Sequence, residues 1–231
     1  MYLIMPQPMR RAATALILVP VLELAALSHH PVVGPAASAH ESLSQLAGLA
    51  FMDSLVHGML MVMLAVLSAS LALFSRLLGW RRPAVITACA TWAVACCVIV
   101  AAMLLDGFAV PQLAIKYLTA PAQDIQTLKM ILGAIGTIIQ VLTKAGILTM
   151  GLAMLAWSYA LATQSALPWS RAAAAAGVAA SLIAGLAIVA GGVRLTPHSL
   201  MAIFGVYGVW NIAIAAIMLR ATGGHPKECQ R

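Results

Sequence analysis

Asp53 and His57 stand four residues apart. On a helix that spacing places a carboxylate and an imidazole on one face within hydrogen-bond reach, so the acid can fix the ring's tautomer and raise its basicity. Met61 continues the same face one turn further on, and His198 and Met201 form a second imidazole–thioether pair at a three-residue spacing. Met103 and Asp106 reach the same level from another segment, and His29 with His30 closes the first apolar run. Imidazole and thioether favour Cu(I) or haem iron over magnesium and calcium, which need oxygen ligands. The expected ligand pair is His57 with His198, acting as axial ligands if the metal is haem iron. His29, His30, Asp53, Met61 and Asp106 complete the candidate set. Against this stands a simpler reading. Polar residues collect cheaply at helix ends, His29, His30 and His40 fit a wet surface, and His57 can serve as a structural hydrogen-bond partner of Asp53.

A second group lies deeper. Lys144 falls inside a long apolar segment with Gln140 and Thr137 on its face, and Glu23 interrupts the first apolar run. An ammonium near the bilayer centre costs at least about 2.5 kcal/mol, so it must meet a carboxylate, lose its proton or reach water. Glu23 is the expected partner, or Asp106 or Asp53 if the fourth span starts late. Glu23 and Lys144, with Gln140, would line a proton or substrate path.

The elements that must position these groups are membrane helices. The chain has 231 residues, 63% of them hydrophobic and 8% charged, against roughly a quarter charged in a soluble domain. The apolar runs predict one all-α transmembrane domain over 1–231 with six spans, at about 12–28, 49–74, 84–105, 128–161, 172–193 and 199–219. Residues 29–44 and 106–126 read as loops, the second with an interfacial helical part.

The net charge of +7 does not imply nucleic acid. Arg10, Arg11, Arg76, Arg81, Arg82, Arg171, Arg220, Lys227 and Arg231 all fall on one side of six crossings, and only Lys116, Lys129 and Arg194 on the other. The positive-inside rule then puts both termini in the cytoplasm of a bacterial inner membrane, with the histidines outside. Arg10 and Arg11 followed by an apolar stretch and Ala37-Ser38-Ala39 also resemble a secretory signal. Cleavage there would leave His40 as an N-terminal copper chelator.

Cys89, Cys96 and Cys97 within the third span imply no disulfide framework. Ala172, Ala176, Ala180 and Ala184 form a small-residue stripe for close helix contact, inside the bundle or between copies. No Walker, Rossmann or zincin pattern occurs, and no inverted repeat. The leading expectation is a haem- or copper-binding redox or metal-handling protein with a quinone as lipid-side partner. Two others compete with it: a proton-coupled permease using Glu23 and Lys144, and a structural subunit of a larger complex. Whether the chain is an enzyme is left open.

Overall fold

In hydrocarbon no water is present to satisfy peptide groups, so each crossing must close its own hydrogen bonds, as a helix does. The computed structural model describes residues 6–164, 167, 169–190 and 194–223, and among them there is no strand. The order is α1 (Pro6–Ser28), α2 (Ala39–Leu78), α3 (Pro83–Leu104), a π-helical turn (Leu105–Ala109), α4 (Val110–Tyr117), α5 (Ala122–Ala162), α6 (Ser170–Ala190) and α7 (Pro197–Gly223). Six stretches are long and apolar enough to cross a membrane, with α3, the π turn and α4 forming one of them. The chain is an all-α, multi-pass integral membrane protein in contact with lipid.

Three helices start well before the apolar pattern predicts: α1 at Pro6, α2 at Ala39 and α5 at Ala122, against about 12, 49 and 128. Ser38 caps α2: its hydroxyl accepts from the Glu41 N–H (3.1 Å), while a Glu41 carboxylate oxygen accepts from the Ala37 N–H (2.7 Å). This is the reciprocal Ser-x-x-Glu arrangement, reaching one residue further back than usual. Residues 39–44, read as part of a loop over 29–44, are therefore helix, and so is most of 106–126.

The extra length projects toward one end of the bundle. Near Arg81 and Arg82 the helices are tied: Arg82 donates to the Ala160 carbonyl (3.1 Å) and to the Thr163 hydroxyl, and Gln164 donates to the Leu78 carbonyl (3.0 Å). With those ends level, the 40 residues of α2 and 41 of α5 run about 60 Å at 1.5 Å per residue, twice a hydrocarbon layer of about 30 Å. At the opposite, histidine-bearing end, α2, α4 and α5 pack around Leu43, Ala114, Ile125 and Leu128 as a small helical cap.

Close approaches hold the rest of the bundle. A methyl at Gly208 of α7 would lie 2.9 Å from Pro20 of α1, and α6 buries Ala173, Gly177, Ala180, Ala184 and Ile188 against its neighbours. The predicted Ala172–Ala184 stripe is thus turned at its start: Ala172 is exposed. Trp157 stacks on Trp210 (6.1 Å, 29°), with Trp92 beside it at 5.8 Å. The indole N–H groups of Trp92 and Trp157 each donate to a serine of α2, Ser68 and Ser75, at 2.9 Å.

Candidate metal centre and the cavity beneath it

His30, Asp53, His57 and Asp106 meet where α1 ends, α2 leaves the apolar layer and α3 gives way to the π turn. His57 lies about 30 Å along α2 from Leu78, counted at 1.5 Å per residue, which is about one hydrocarbon thickness. The site therefore sits at the membrane edge.

Each side chain is aimed by a backbone feature. The chain leaving α1 delivers His30, whose Nδ1 lies 2.9 Å from the Pro31 carbonyl. A carbonyl only accepts, so Nδ1 carries a hydrogen, and Nε2 lies 3.7 Å from Asp53 Oδ1. On α2, His57 Nδ1 is 2.9 Å from the Asp53 carbonyl and 3.2 Å from Asp53 Oδ1. Its Nε2 is 3.5 Å from Asp106 Oδ2. The two imidazoles meet edge to face at 5.0 Å. Asp53 Oδ1 is buried and accepts no hydrogen bond from the described residues, although both rings face it.

The π turn makes this approach geometrically feasible. Gly107 lies directly against His57: a methyl there would come 2.6 Å from His57 Nδ1 and closer still to its Cβ and Cγ. The wider turn disturbs the i→i−4 ladder, and Ser54 of α2 donates to the Gly107 carbonyl at 2.7 Å, satisfying a group the helix alone leaves underused. Asp106, one residue before, is thereby held toward His57 Nε2.

The ligand atoms of His30, Asp53 and His57 all lie within 4.8 Å of one another. In a tetrahedral site with bonds of about 2.0–2.1 Å, ligand atoms stand about 3.3 Å apart. The 3.2 and 3.7 Å separations are close to that edge length. Among the described residues no lysine or arginine pairs with Asp53 or Asp106; the ion-pair contacts of both are with imidazoles. Two carboxylates without a permanent counter-charge make the site attractive to cations.

The other sequence candidates fall elsewhere. His198 is exposed at the start of α7 and stands outside the cavity, to which that helix contributes Leu200 and Phe204. His57 is therefore paired with His30, not with His198. The cavity beneath the site, about 80 Å³, is far below the roughly 300 Å³ at which pockets for larger ligands begin. His198 does not line the cavity that His57 lines, so the two do not face a shared space for a porphyrin there. Met61 does not line this cavity; Met103 of α3 does. His29 is exposed and bonded to the Ala25 carbonyl (2.9 Å) and the Ser28 hydroxyl (3.0 Å) at the end of its own helix, and His40 is exposed.

Glu23 and Lys144 do not pair. Glu23 is buried and lines the cavity, whereas Lys144 faces a separate crevice with Thr137, Gln140 and Arg194. The physical reason is helix length. Lys144 lies about 27 Å along α5 from Ala162, counted at 1.5 Å per residue, which puts it near the membrane edge and not at mid-depth. Gln140 is spent on the neighbouring link, its amide donating to the Leu195 carbonyl (2.9 Å) and accepting from the Leu195 N–H (2.8 Å).

Sequence reasoning missed Ser54 and Gly107. The Asp106-Gly107 dipeptide, a common mark of a backbone irregularity, was the available signal. No family model, characterised protein or solved structure matches the chain.

Proposed function

We propose that the chain is a metal-handling membrane protein that binds a divalent first-row transition cation of the zinc type through His30 Nε2, Asp53 Oδ1 and His57, leaving a fourth position for water or cargo. The observation that carries this reading is the convergence of three ligand atoms, two from α2 and one from the segment that follows α1, one of them Asp53 Oδ1, a buried acceptor with no donor of its own among the described residues. Asp106 supports the same arrangement. By holding the Nε2–H of His57 it would leave Nδ1 as the ligand atom: a cation binding there would displace the Nδ1 proton to solvent and replace the bond to the Asp53 carbonyl, giving the carboxylate–histidine–metal relation that orders many such ligands. Two imidazoles and one carboxylate suit zinc better than Cu(I), because no thioether joins the ligand group. The distribution of arginines supports placing the centre on the outer face of a bacterial inner membrane, with both termini inside.

Metal content and zinc affinity of the purified chain test this. This centre is expected to hold one equivalent of zinc, which disappears in His30→Ala, Asp53→Ala and His57→Ala and is kept in His198→Ala and Met61→Ala. A protein that takes up no zinc, or one in which His198→Ala is as damaging as His57→Ala, sinks the proposal.

A further inference from the structure

Below the upper cavity lies a smaller chamber of about 20 Å³, and the two share Glu23, Leu64, Met150 and Phe204 in their walls. By volume the chamber holds one water-sized particle, since a single such occupant needs about 10–15 Å³. Two polar side chains face it. Glu23 of α1 is 8% exposed and Asn211 of α7 is 7% exposed, and among the described residues neither has a hydrogen-bond or ion-pair partner. Of the other polar groups in the lining, the Tyr207 hydroxyl is used on the Ile147 carbonyl at 3.0 Å and the Trp92 indole N–H on Ser68, while the Trp210 indole N–H is buried without a partner among the described residues.

A buried carboxylate without a partner is costly in hydrocarbon, by several kcal/mol. A buried carboxamide with no partner adds a further cost of about 1–3 kcal/mol. No bond joins the two groups, and a particle held in the chamber they share would satisfy both. A cation does this best: the carboxylate supplies the charge, the amide oxygen a second hard donor, and Met150 and Met154 polarisable sulfur. Trp92 and Trp210 also line the chamber, and indole faces attract cations.

We propose that this chamber is a second cation site with Glu23 and Asn211 as ligands, fed through the upper cavity from the histidine centre. The feeding route rests on the metal reading of that centre; the chamber's ligands do not. A cation arriving at His30 and His57 would move past Met103 and Thr143 to Glu23 without leaving the bundle, so the chain has two stations along one path.

Equilibrium dialysis of the purified full-length chain against Zn²⁺ separates the two ideas. Two equivalents are expected for the wild type. One should remain in Glu23→Gln and in Asn211→Leu, both close in volume to the residue replaced, and one, at the chamber, in His57→Ala. Thermal midpoints near the wild type's confirm that each variant is folded, and Asn211→Asp, which keeps the oxygen donor, should retain two. If the wild type binds one equivalent that His57→Ala removes and Glu23→Gln does not, the chamber holds only water and this inference falls while the centre stands. If it binds one that Glu23→Gln removes and His57→Ala leaves, the chamber stands and the histidine centre falls. No bound zinc overturns both.

Discussion

Gly107→Ala is the most informative single perturbation of the site, because it adds one methyl between the π turn and the root of the His57 ring. That methyl would sit 2.6 Å from Nδ1 and nearer to Cβ and Cγ, where carbon contacts normally settle at about 3.5–4.0 Å. Rotation of the ring gives no relief, since Cβ is fixed to α2; the π turn must retreat by about 1 Å. A retreat of that size stretches the 2.7 Å Ser54–Gly107 bond beyond the usual limit and carries Asp106 away from His57 Nε2. Overpacking costs about 1–3 kcal/mol and the lost bond about 0.5–1.5 kcal/mol, offset by about 0.8–1.0 kcal/mol of helix propensity gained by replacing glycine. The net expectation is destabilisation of about 1–3 kcal/mol. Zinc affinity should fall about 10- to 100-fold, the usual effect of losing an orienting partner. Detergent-solubilised protein, followed by thermal unfolding and zinc competition, gives both numbers. Gly133→Ala is the control, for nothing lies within 4 Å of its added methyl and it should be neutral or slightly stabilising. A Gly107→Ala protein with wild-type stability and zinc affinity within twofold of wild type would show that the π turn does not position the centre.

Asp106→Asn keeps the shape of the side chain and removes the charge facing His57; zinc affinity should drop about tenfold or more, measured against Asp124→Asn in the distant cap, which should not change it. Gln140→Leu strips both hydrogen bonds from the buried Leu195 peptide, at about 1–3 kcal/mol for each group left unpaired. A lowered thermal midpoint with zinc stoichiometry intact is expected, and lost zinc binding would show that Gln140 has a role in the site. Ser75→Ala leaves the fully buried Trp157 indole N–H without its acceptor and should cost about 1–3 kcal/mol, visible as a shifted unfolding midpoint and altered tryptophan fluorescence.

The membrane class was legible in the sequence because hydropathy is a local property: each crossing needs about 20 apolar residues and declares itself without reference to its neighbours. Helix ends were less legible where polar residues are compatible with helix. Ser38 and Glu41 start α2 well before its apolar run, and the first part of that helix is cap, where a half-polar surface carries no hydropathy signal. The same blindness put Lys144 at mid-depth. Its helix is too long for the membrane, and depth cannot be counted from an apolar pattern that continues beyond the bilayer edge.

Within the site, the local pair was readable and the long-range partners were not. Asp53 and His57 follow from a four-residue spacing on one helix, and the structure keeps them together at 3.2 Å. Choosing between His30 and His198 as the second imidazole required knowing which face of α7 turns inward. That helix is apolar nearly all round and its sequence offers no stripe to orient it. Leu200 and Phe204 point to the cavity, so His198, two residues before Leu200 on a helix turning 100° per residue, is carried about 200° away from it. His30 gains its place by the opposite route: it follows the last helical turn, where the chain is free to bend, and the Pro31 carbonyl fixes its ring. The centre is therefore built by one helix that presents a fixed i, i+4 pair, one chain end that folds over it, and one π turn that comes close only because position 107 is glycine.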